Sequence, residues 1–557
     1  MQQFNKNTLL TFILFLLAAH ISFAAEISWK ASGDKGLVVA GKPQAVAAGI
    51  EILQDGGNAA DAAASALLVL GVKHIGAFTI GGEVPVIIRD VRTNDVKVLS
   101  GQGAAPLDPE AIEWYLENGI PGSSIKAAAV PAVIDLCVTM LQKYGTISFE
   151  TAVEPTLRIL DAGGPSWYID TSDGDTVDTG RNWYADLAGT LRKLVEAEQM
   201  AIGDRVDKLQ AVSNRFYRGD IADALDAWYR QKGGFLRKKD LIAHVTEIEE
   251  PLKVEYKGYT VYKCGPWTQG PYLLQTLQLL KGFDLQKMGH LSADYIHTVT
   301  ESMKLALADR DAWYGDPLFS SIPMTALLSE RYSDIRRDLI DMKKASDQIL
   351  PGDPYGMRAR SQMPVPQTEQ GGTTTLCVSD RWGNVVATTP SGLGSTAGSG
   401  GETGVIHGAR LVSLNTWKKH PNCIEPGKRP RITLTPTLIM KDDKPVMAIS
   451  IAGGDLQDQV ALQLLLDNIE FGMLPEEAVK APRFATGHHT GSFGQDDPDI
   501  ASLRLQAKIS RDVTDDLKNR GHQVNVRKGG IGGAAMLYID PESGKSYGAA
   551  AAAGSVD

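Results

Sequence analysis

Cysteine is scarce in this sequence: Cys137, Cys264, Cys377 and Cys423 are the only four in 557 residues, far apart and without a Cys-x-x-Cys pair. So low a count demands no disulfide framework, and buried free thiols are the expectation. Basic charge is not in excess either. The net charge of −10 argues against nucleic acid as a partner, which would call for a clustered basic face. Long apolar runs are equally few. Leu9 to Phe23 is one, broken by Thr11, His20 and Ser22, and it is short for a bilayer span of about 20 residues. Lys6 and Asn7 precede it, and small residues at Ser22, Ala24 and Ala25 close it. This pattern is that of a secretory signal peptide cut after Ala24. No cysteine follows to carry a lipid. The expectation is export to a periplasm or beyond the cell, with no stable membrane anchor after signal removal.

What is present suits a large globular enzyme or binding protein: 43% hydrophobic and 22% charged residues. The length exceeds that at which one simple core stops growing, so one large layered domain or two domains are expected. Gly36 to Ala40 reads as a strand and Ala45 to Leu53 as a helix closed by Gly56-Gly57. Asn58 caps a second helix of small residues running to Leu70. Thr79 to Arg89 and Val96 to Ser100 read as strands, and Leu107 to Met342 is mainly helical, interrupted by strand-like Leu252 to Tyr262. Lys343 to Gln370, with four prolines and mixed charge, reads as an exposed linker or loop. Beyond it, Thr373 to Val378 and Val385 to Thr389 suggest a hairpin around Asp380 to Asn384. Arg431 to Met440, Val446 to Ile451, Ala534 to Ile539 and Ser546 to Ala551 add strands, and Gln457 to Phe471 adds a helix. Strands grouped together with helices outside them imply a layered α+β sandwich.

Gly371-Gly372-Thr373-Thr374-Thr375 is the segment with most chemical content. Glycine reaches backbone conformations closed to other residues. The Thr373 hydroxyl would then approach the Gly372 carbonyl for an N-to-O acyl shift, and ester hydrolysis would free the Thr373 amine. An α-amino group, with a reference pKa of about 7.7–8.0, serves as a base at neutral pH. Nucleophile and base would then reside in one residue. Local sequence alone also accommodates an ordinary β-branched strand start after a turn.

A wider set of motifs gives that segment its context. Gly56-Gly57-Asn58-Ala59-Ala60-Asp61-Ala62-Ala63, Ala308-Asp309-Arg310 and Gly315-Asp316-Pro317 precede Thr373-Thr374. Asp380 with Gly383-Asn384, Pro426-Gly427-Lys428-Arg429-Pro430, Thr435-Pro436-Thr437, Ala452-Gly453-Gly454 and Ala481-Pro482-Arg483-Phe484 follow it. In this order and spacing, from about Gly36 to the C-terminus, the chain resembles the γ-glutamyltransferase (glutathione hydrolase) family of N-terminal-nucleophile hydrolases. The resemblance implies a four-layer αββα sandwich and a precursor that cuts itself between Gly372 and Thr373. The expected parts are a signal peptide 1–24, a large subunit 25–372 and a small subunit 373–557. Thr373 falls on the nucleophile, Gly453 and Gly454 on the oxyanion-hole pair, and Ser391 on a supporting hydroxyl that is threonine in the family.

The specificity shell departs from the pattern. Gln102 stands where glutathione-cleaving members carry an arginine for the glutamyl α-carboxylate, and an amide does not replace a bidentate guanidinium contact. Leu393 replaces an asparagine, and of a serine pair Ile432 has lost the hydroxyl while Thr433 keeps one. The groups that hold the glutamyl amine map onto Arg410 and Ser413. Gly81-Gly82-Glu83-Val84-Pro85, Gly265-Pro266-Trp267-Thr268-Gln269-Gly270 and His420-Pro421-Asn422 look instead like the oxamate-amidohydrolase and cephalosporin-acylase branch. The expected substrate is a small amide other than glutathione, with Gln102, Arg410 and Thr433 as candidate binding residues and Arg410 facing a substrate carboxylate. A true glutathione hydrolase with a rebuilt donor site and a non-catalytic ligand-binding relative are the alternatives. No metal or organic cofactor is implied. His488-His489 lacks further ligands at metal-binding spacing, and Asp309-Arg310-Asp311 reads as an ion-pair network.

Overall fold

The computed structural model describes residues 27–163, 183–361, 372–392, 394, 397–495 and 497–557. The expected signal peptide, Gly371 and Leu393 lie outside the described residues. No helix among the described residues is long and apolar enough to cross a membrane.

Thirteen strands form one antiparallel sheet. Its members are β1 (Ser28–Gly33), β2 (Gly36–Ala40), β3 (Val84–Asp90), β4 (Asp95–Gly101), β5 (Glu247–Glu249), β6 (Leu252–Tyr256) and β7 (Tyr259–Lys263). They continue with β8 (Leu376–Asp380), β9 (Val385–Thr388), β10 (Thr437–Lys441) and β11 (Lys444–Ala452). A separate small sheet contains β12 (Phe484–Ala485), β13 (Ser502–Gln506) and β14 (Gln523–Arg527), after which β15 (Gly533–Ile539) and β16 (Ser546–Val556) return to the main one. The spatial order is β5-β4-β3-β9-β8-β2-β16-β15-β11-β10-β7-β6, with β1 also on β16.

The sheet curls so that its two halves face each other. Leu37, Val39, Ile87, Cys377 and Ala387 from one half share a core with Leu438, Ala448, Ala535 and Leu537 from the other. The helices Pro43–Gln54, Ala59–Lys73 and Val133–Tyr144 cover the outer face of the first half. The helices Pro271–Leu280, Ala293–Trp313 and Leu456–Phe471 cover the second. Helix, sheet, sheet and helix thus form the four expected layers, although both sheet layers belong to one continuous ladder. Because both faces are covered, β3 is buried at all seven positions rather than alternating. Helix Ala59–Lys73 can nestle this deeply because its first turns are alanine. Its start is a reciprocal cap: Asn58 Oδ1 accepts from the Ala60 and Asp61 amides at 2.9 and 3.1 Å, and Asp61 Oδ2 from the Asn58 amide at 2.9 Å.

Several boundaries differ from the sequence reading. The strand expected from Thr79 begins only at Val84. Upstream of it, a Cβ on Gly81 would lie 2.3 Å from Ile406 O, and one on Gly82 would lie 2.2 Å from Ser391 O. Close loop contacts replace strand pairing there. Leu252 to Tyr262 is a hairpin, turning at Lys257 (φ +49°) and Gly258 (φ +81°). Residues 343–361 form a loop without helix or strand, but one packed onto the domain and not an exposed linker: Ala345, Pro351, Gly352 and Pro354 are buried. The Gly352 amide donates to Asp309 Oδ1 at 2.7 Å, and Trp313 Nε1 donates to Gly352 O at 3.0 Å. All four cysteines are free and buried, as expected.

Candidate active site

Thr373 does not belong to a strand. Residues 372–375 run into β8 unpaired, pinned by the Thr374 amide donating to Pro390 O at 2.9 Å and the Gly41 amide donating to Thr375 O at 3.0 Å. Thr374 Oγ1 is hydrogen-bonded to His74 Nδ1 at 2.8 Å. Burial, with Lys42 nearby, lowers the His74 pKa to about 4, so this partner is neutral.

Gly453 and Gly454 follow β11, where the chain turns into helix Leu456–Phe471. Their φ values of +145° and +58° suit glycine, and a Cβ on Gly454 would lie 3.0 Å from Phe493 Cε2. Neither N–H donates a hydrogen bond to another part of the chain among the described residues. Two free donors at the positive end of a 16-residue helix favour an anion.

Gly372, Thr373, Gly453 and Gly454 line one cavity of about 520 Å³ with Asp455, Phe493, His489 and Arg504. Thr373 and the candidate oxyanion donors therefore face the same space. Below the cavity, Arg310 Nη1 donates to Asp455 Oδ1 at 2.6 Å and to Gln269 Oε1 at 2.9 Å, and its Nε donates to Asp311 Oδ1 at 2.8 Å. Ser492 Oγ also donates to Asp455 Oδ1, at 2.6 Å. Despite burial, the Arg310 charge and hydrogen bonds from Ser492 hold the Asp455 carboxyl well below the usual range. Ala308-Asp309-Arg310 is thus a buried network that fixes the residue after the glycine pair. One turn on, Lys263 Nζ donates to Asp458 Oδ1 at 2.6 Å, with both side chains fully buried. Burial pushes the Asp458 pKa up to about 6 against the pull of Lys263, and lowers that of Lys263.

Gln457 is a site residue that sequence reasoning missed. Satisfying its amide requires the nitrogen to donate to Thr433 O at 2.8 Å and Ile451 O at 3.3 Å. The carboxamide oxygen then accepts from Thr373 Oγ1 at 3.4 Å and Thr433 Oγ1 at 3.5 Å. Thr433 accordingly sits behind Gln457, fully buried, and not on the cavity wall. The only sequence signal was the position of Gln457, in the first turn of a helix that begins beside the glycine pair.

Arg410 is not where a substrate carboxylate would meet it. It is buried, in an ion pair with Glu83, donating from Nε to Glu83 Oε1 at 2.6 Å and from Nη2 to Ser391 Oγ at 2.8 Å. Its guanidinium lies 5.7 Å from the Phe493 ring centroid, and Phe493, not Arg410, lines the cavity. Ser391 Oγ in turn donates to Gly372 O at 2.5 Å. Two backbone bonds, Glu83 N to Ser391 O (2.9 Å) and Ser391 N to Glu83 O (3.0 Å), set these two side chains opposite each other. Burial raises the Glu83 pKa, while Arg410 and the Ser391 hydroxyl pull it down. Gln102 is also apart from Thr373. It lines a second cavity of about 240 Å³ with Val130, Asp240 and Arg429, and its Nε2 donates to Gly103 O at 3.0 Å.

Residues 45–555 match the family model described as Gamma-glutamyltranspeptidase. The chain belongs to the gamma-glutamyltranspeptidase family. Among curated members, it is 29% identical to the glutathione hydrolase proenzyme of Bacillus subtilis (strain 168), covering 93% of this chain and 90% of that one. It is 27% identical to the acylase ACY 1 proenzyme of Pseudomonas sp. (strain SE83), covering 92% and 91%. The solved structure of LmbA2991T421A superposes with a TM-score of 0.84 at 31% identity, over 94% of this chain and 97% of that one. Cephalosporin acylase from Bacillus halodurans shares the fold, with a TM-score of 0.80 at 24% identity over 94% and 95%. This family member is thus an enzyme of the hydrolase and transferase class, with the amide hydrolase chemistry of N-terminal-nucleophile relatives.

Three further charged residues line the cavity. Arg504 is half-buried, has no ion pair among the described residues, and its Nη2 lies 3.4 Å from where a Cβ on Gly487 would stand. Asp497 and Asp499, both exposed, share that wall. Burial lowers the His489 pKa, keeping that ring neutral against the pull of Asp455. His488 is buried too, accepting from the Ala501 amide at 2.8 Å, so the His488-His489 pair is structural and not a surface feature. These lining residues come from β13, which carries Arg504, and from the segment between it and the helix Pro475–Ala478, for which sequence patterning offered no site signal.

Proposed function

We propose that this protein is an exported amide hydrolase that cuts itself between Gly372 and Thr373 and then uses Thr373 as its N-terminal nucleophile. Residues 25–372 would form the large subunit and 373–557 the small one, after removal of a signal peptide 1–24. The observation that carries the reading is that Gly372-Thr373 and the free Gly453 and Gly454 amides line one cavity. In turnover, the Thr373 amine takes the proton from its hydroxyl, and Oγ attacks the substrate carbonyl. The developing oxyanion is held by the two glycine amides, donors that typically supply about 2.7–4 kcal/mol each. The amine returns the proton to the leaving nitrogen, and water repeats the sequence to release the acid. Gln457 Oε1 orients the Thr373 hydroxyl.

The substrate on this reading is a small amide other than glutathione. With Gln102 in a separate cavity and Arg410 held by Glu83, neither supplies the carboxylate clamp of a γ-glutamyl head group. Arg504 lines the cavity with no ion pair among the described residues and suits a carboxylate placed elsewhere on the substrate. Intact mass of the purified protein beside Thr373→Ala tests the core of the proposal. Two fragments meeting at Gly372/Thr373, with the variant whole and inactive, are expected. A wild-type chain that stays uncut for days would overturn it and favour ligand binding without catalysis.

A further inference from the structure

We infer that Arg410 is a positioning residue for self-cleavage: through Glu83 and Ser391 it directs a hydroxyl proton onto the carbonyl that must be attacked. This rests on the self-cleavage reading above. The single Ser391 proton has among its acceptors Gly372 O at 2.5 Å and the carboxylate of Glu83, its partner across the backbone bridge. A carboxylate is the stronger acceptor, so an unattended Glu83 would take the Ser391 proton. Arg410 weakens that competition by donating to Glu83 Oε1 from both Nε and Nη2. The same guanidinium donates from Nη2 to Ser391 Oγ at 2.8 Å, which makes that hydroxyl a better donor to Gly372 O. Ser413 Oγ accepts from Nη1 at 3.3 Å, and the Phe493 ring closes the side toward the cavity.

The step balances as follows. Thr373 Oγ bonds to the Gly372 carbonyl carbon, and the carbonyl oxygen becomes an oxyanion facing the Ser391 hydroxyl. The carbon–nitrogen bond then breaks, and the proton from Oγ ends on the Thr373 nitrogen, leaving an ester. Water adds to that ester, and the carbon–Oγ bond breaks. Gly372 leaves as a carboxylate and Thr373 regains its hydroxyl. Arg410 exchanges no proton. Its effect is to favour Gly372 O over Glu83 as acceptor of the Ser391 proton while the oxyanion exists.

The test is the rate at which freshly purified full-length precursor converts to two fragments, followed by mass, in wild type, Arg410→Lys, Arg410→Gln and the paired Glu83→Gln/Arg410→Gln. Thermal unfolding is measured on each. The expected order is wild type, then Arg410→Lys, then Arg410→Gln slowed at least tenfold, with the paired variant faster than Arg410→Gln because the competing carboxylate is gone. Guanidinium ion at low, non-denaturing concentration should speed the Arg410→Gln variant and leave the wild type unchanged, a response that lost packing would not give. If Arg410→Gln does not fold, the paired variant and Arg410→Lys carry the same comparison. Folded variants that all cleave at the wild-type rate would overturn the inference while leaving Thr373 in place. An uncut wild type would instead remove the reading on which it rests.

Discussion

The two walls of the 520 Å³ cavity are held in different ways. The Gly453-Gly454 wall stands on buried charge: Asp455 on Arg310, and Asp458 on Lys263 one turn further along the helix. The Gly372-Thr373 wall is held by backbone hydrogen bonds and by neutral or externally compensated groups, namely Pro390 O, the uncharged His74 and Ser391. Full charges at short range make a stiff platform, whose donors need no reorganisation when an anion forms. Hydrogen bonds of neutral groups, each worth about 1 kcal/mol net, would suit the proposed cleavage, in which a peptide bond is broken and a new terminus must settle without stranding an unpaired ion. On the proposed function, the difference would pair a fixed oxyanion site with a nucleophile made in place.

The sharpest way to break that comparison is Lys263→Met. It strands Asp458 without its cation, and a broken buried pair typically costs about 3–5 kcal/mol. The sign with pH follows from the Asp458 carboxyl, raised to about 6. A raised acid contributes stability below its unfolded pKa that is lost as pH rises through the folded value. Removing Lys263 raises it further, so the variant should lie closest to wild type near pH 5 and furthest below it at pH 8 in denaturant titrations. A stability deficit independent of pH would show that packing, not charge, supports this wall.

Gly453→Ala comes next. At φ +145° an alanine is strained and turns the amide away from the cavity. Loss of one oxyanion donor predicts a fall in kcat of about 10²–10³-fold with KM little changed. Steady-state kinetics on any turned-over amide decides it, and an unchanged kcat would remove the glycine pair from the mechanism. Arg504→Ala should have the smallest effect of the three. A charged hydrogen bond of about 1.5–3 kcal/mol predicts a KM raised at least about tenfold for carboxylate-bearing amides only. An equal rise for neutral amides would make Arg504 a packing residue.

Much of the scaffold was legible locally. The Asn58 cap, the hairpin at Asp380 to Asn384 and the helix after Gly453-Gly454 depend on residues near one another in sequence, whose preferences act before any tertiary contact. The exposure expected of residues 343–361 failed because prolines and mixed charge report local backbone preference. Burial of Gly352 against Asp309 is a contact across 43 residues. The misreading of Arg410 has the same root. A lone arginine in a glycine loop looks available, and only the approach of Glu83, 327 residues away, removes it from the cavity.

By itself the sequence determined the family, the Gly372-Thr373 segment and the glycine turn, because glycine and β-branched threonine impose their conformations wherever they stand. Tertiary structure decided which charges are spent and which are free. Arg310, Lys263 and Arg410 are neutralised by partners brought from distant parts of the chain, whereas Arg504 reaches the cavity with no such partner among the described residues. Ion pairing depends on distance in space and on desolvation, and neither is encoded in the spacing of residues along a chain.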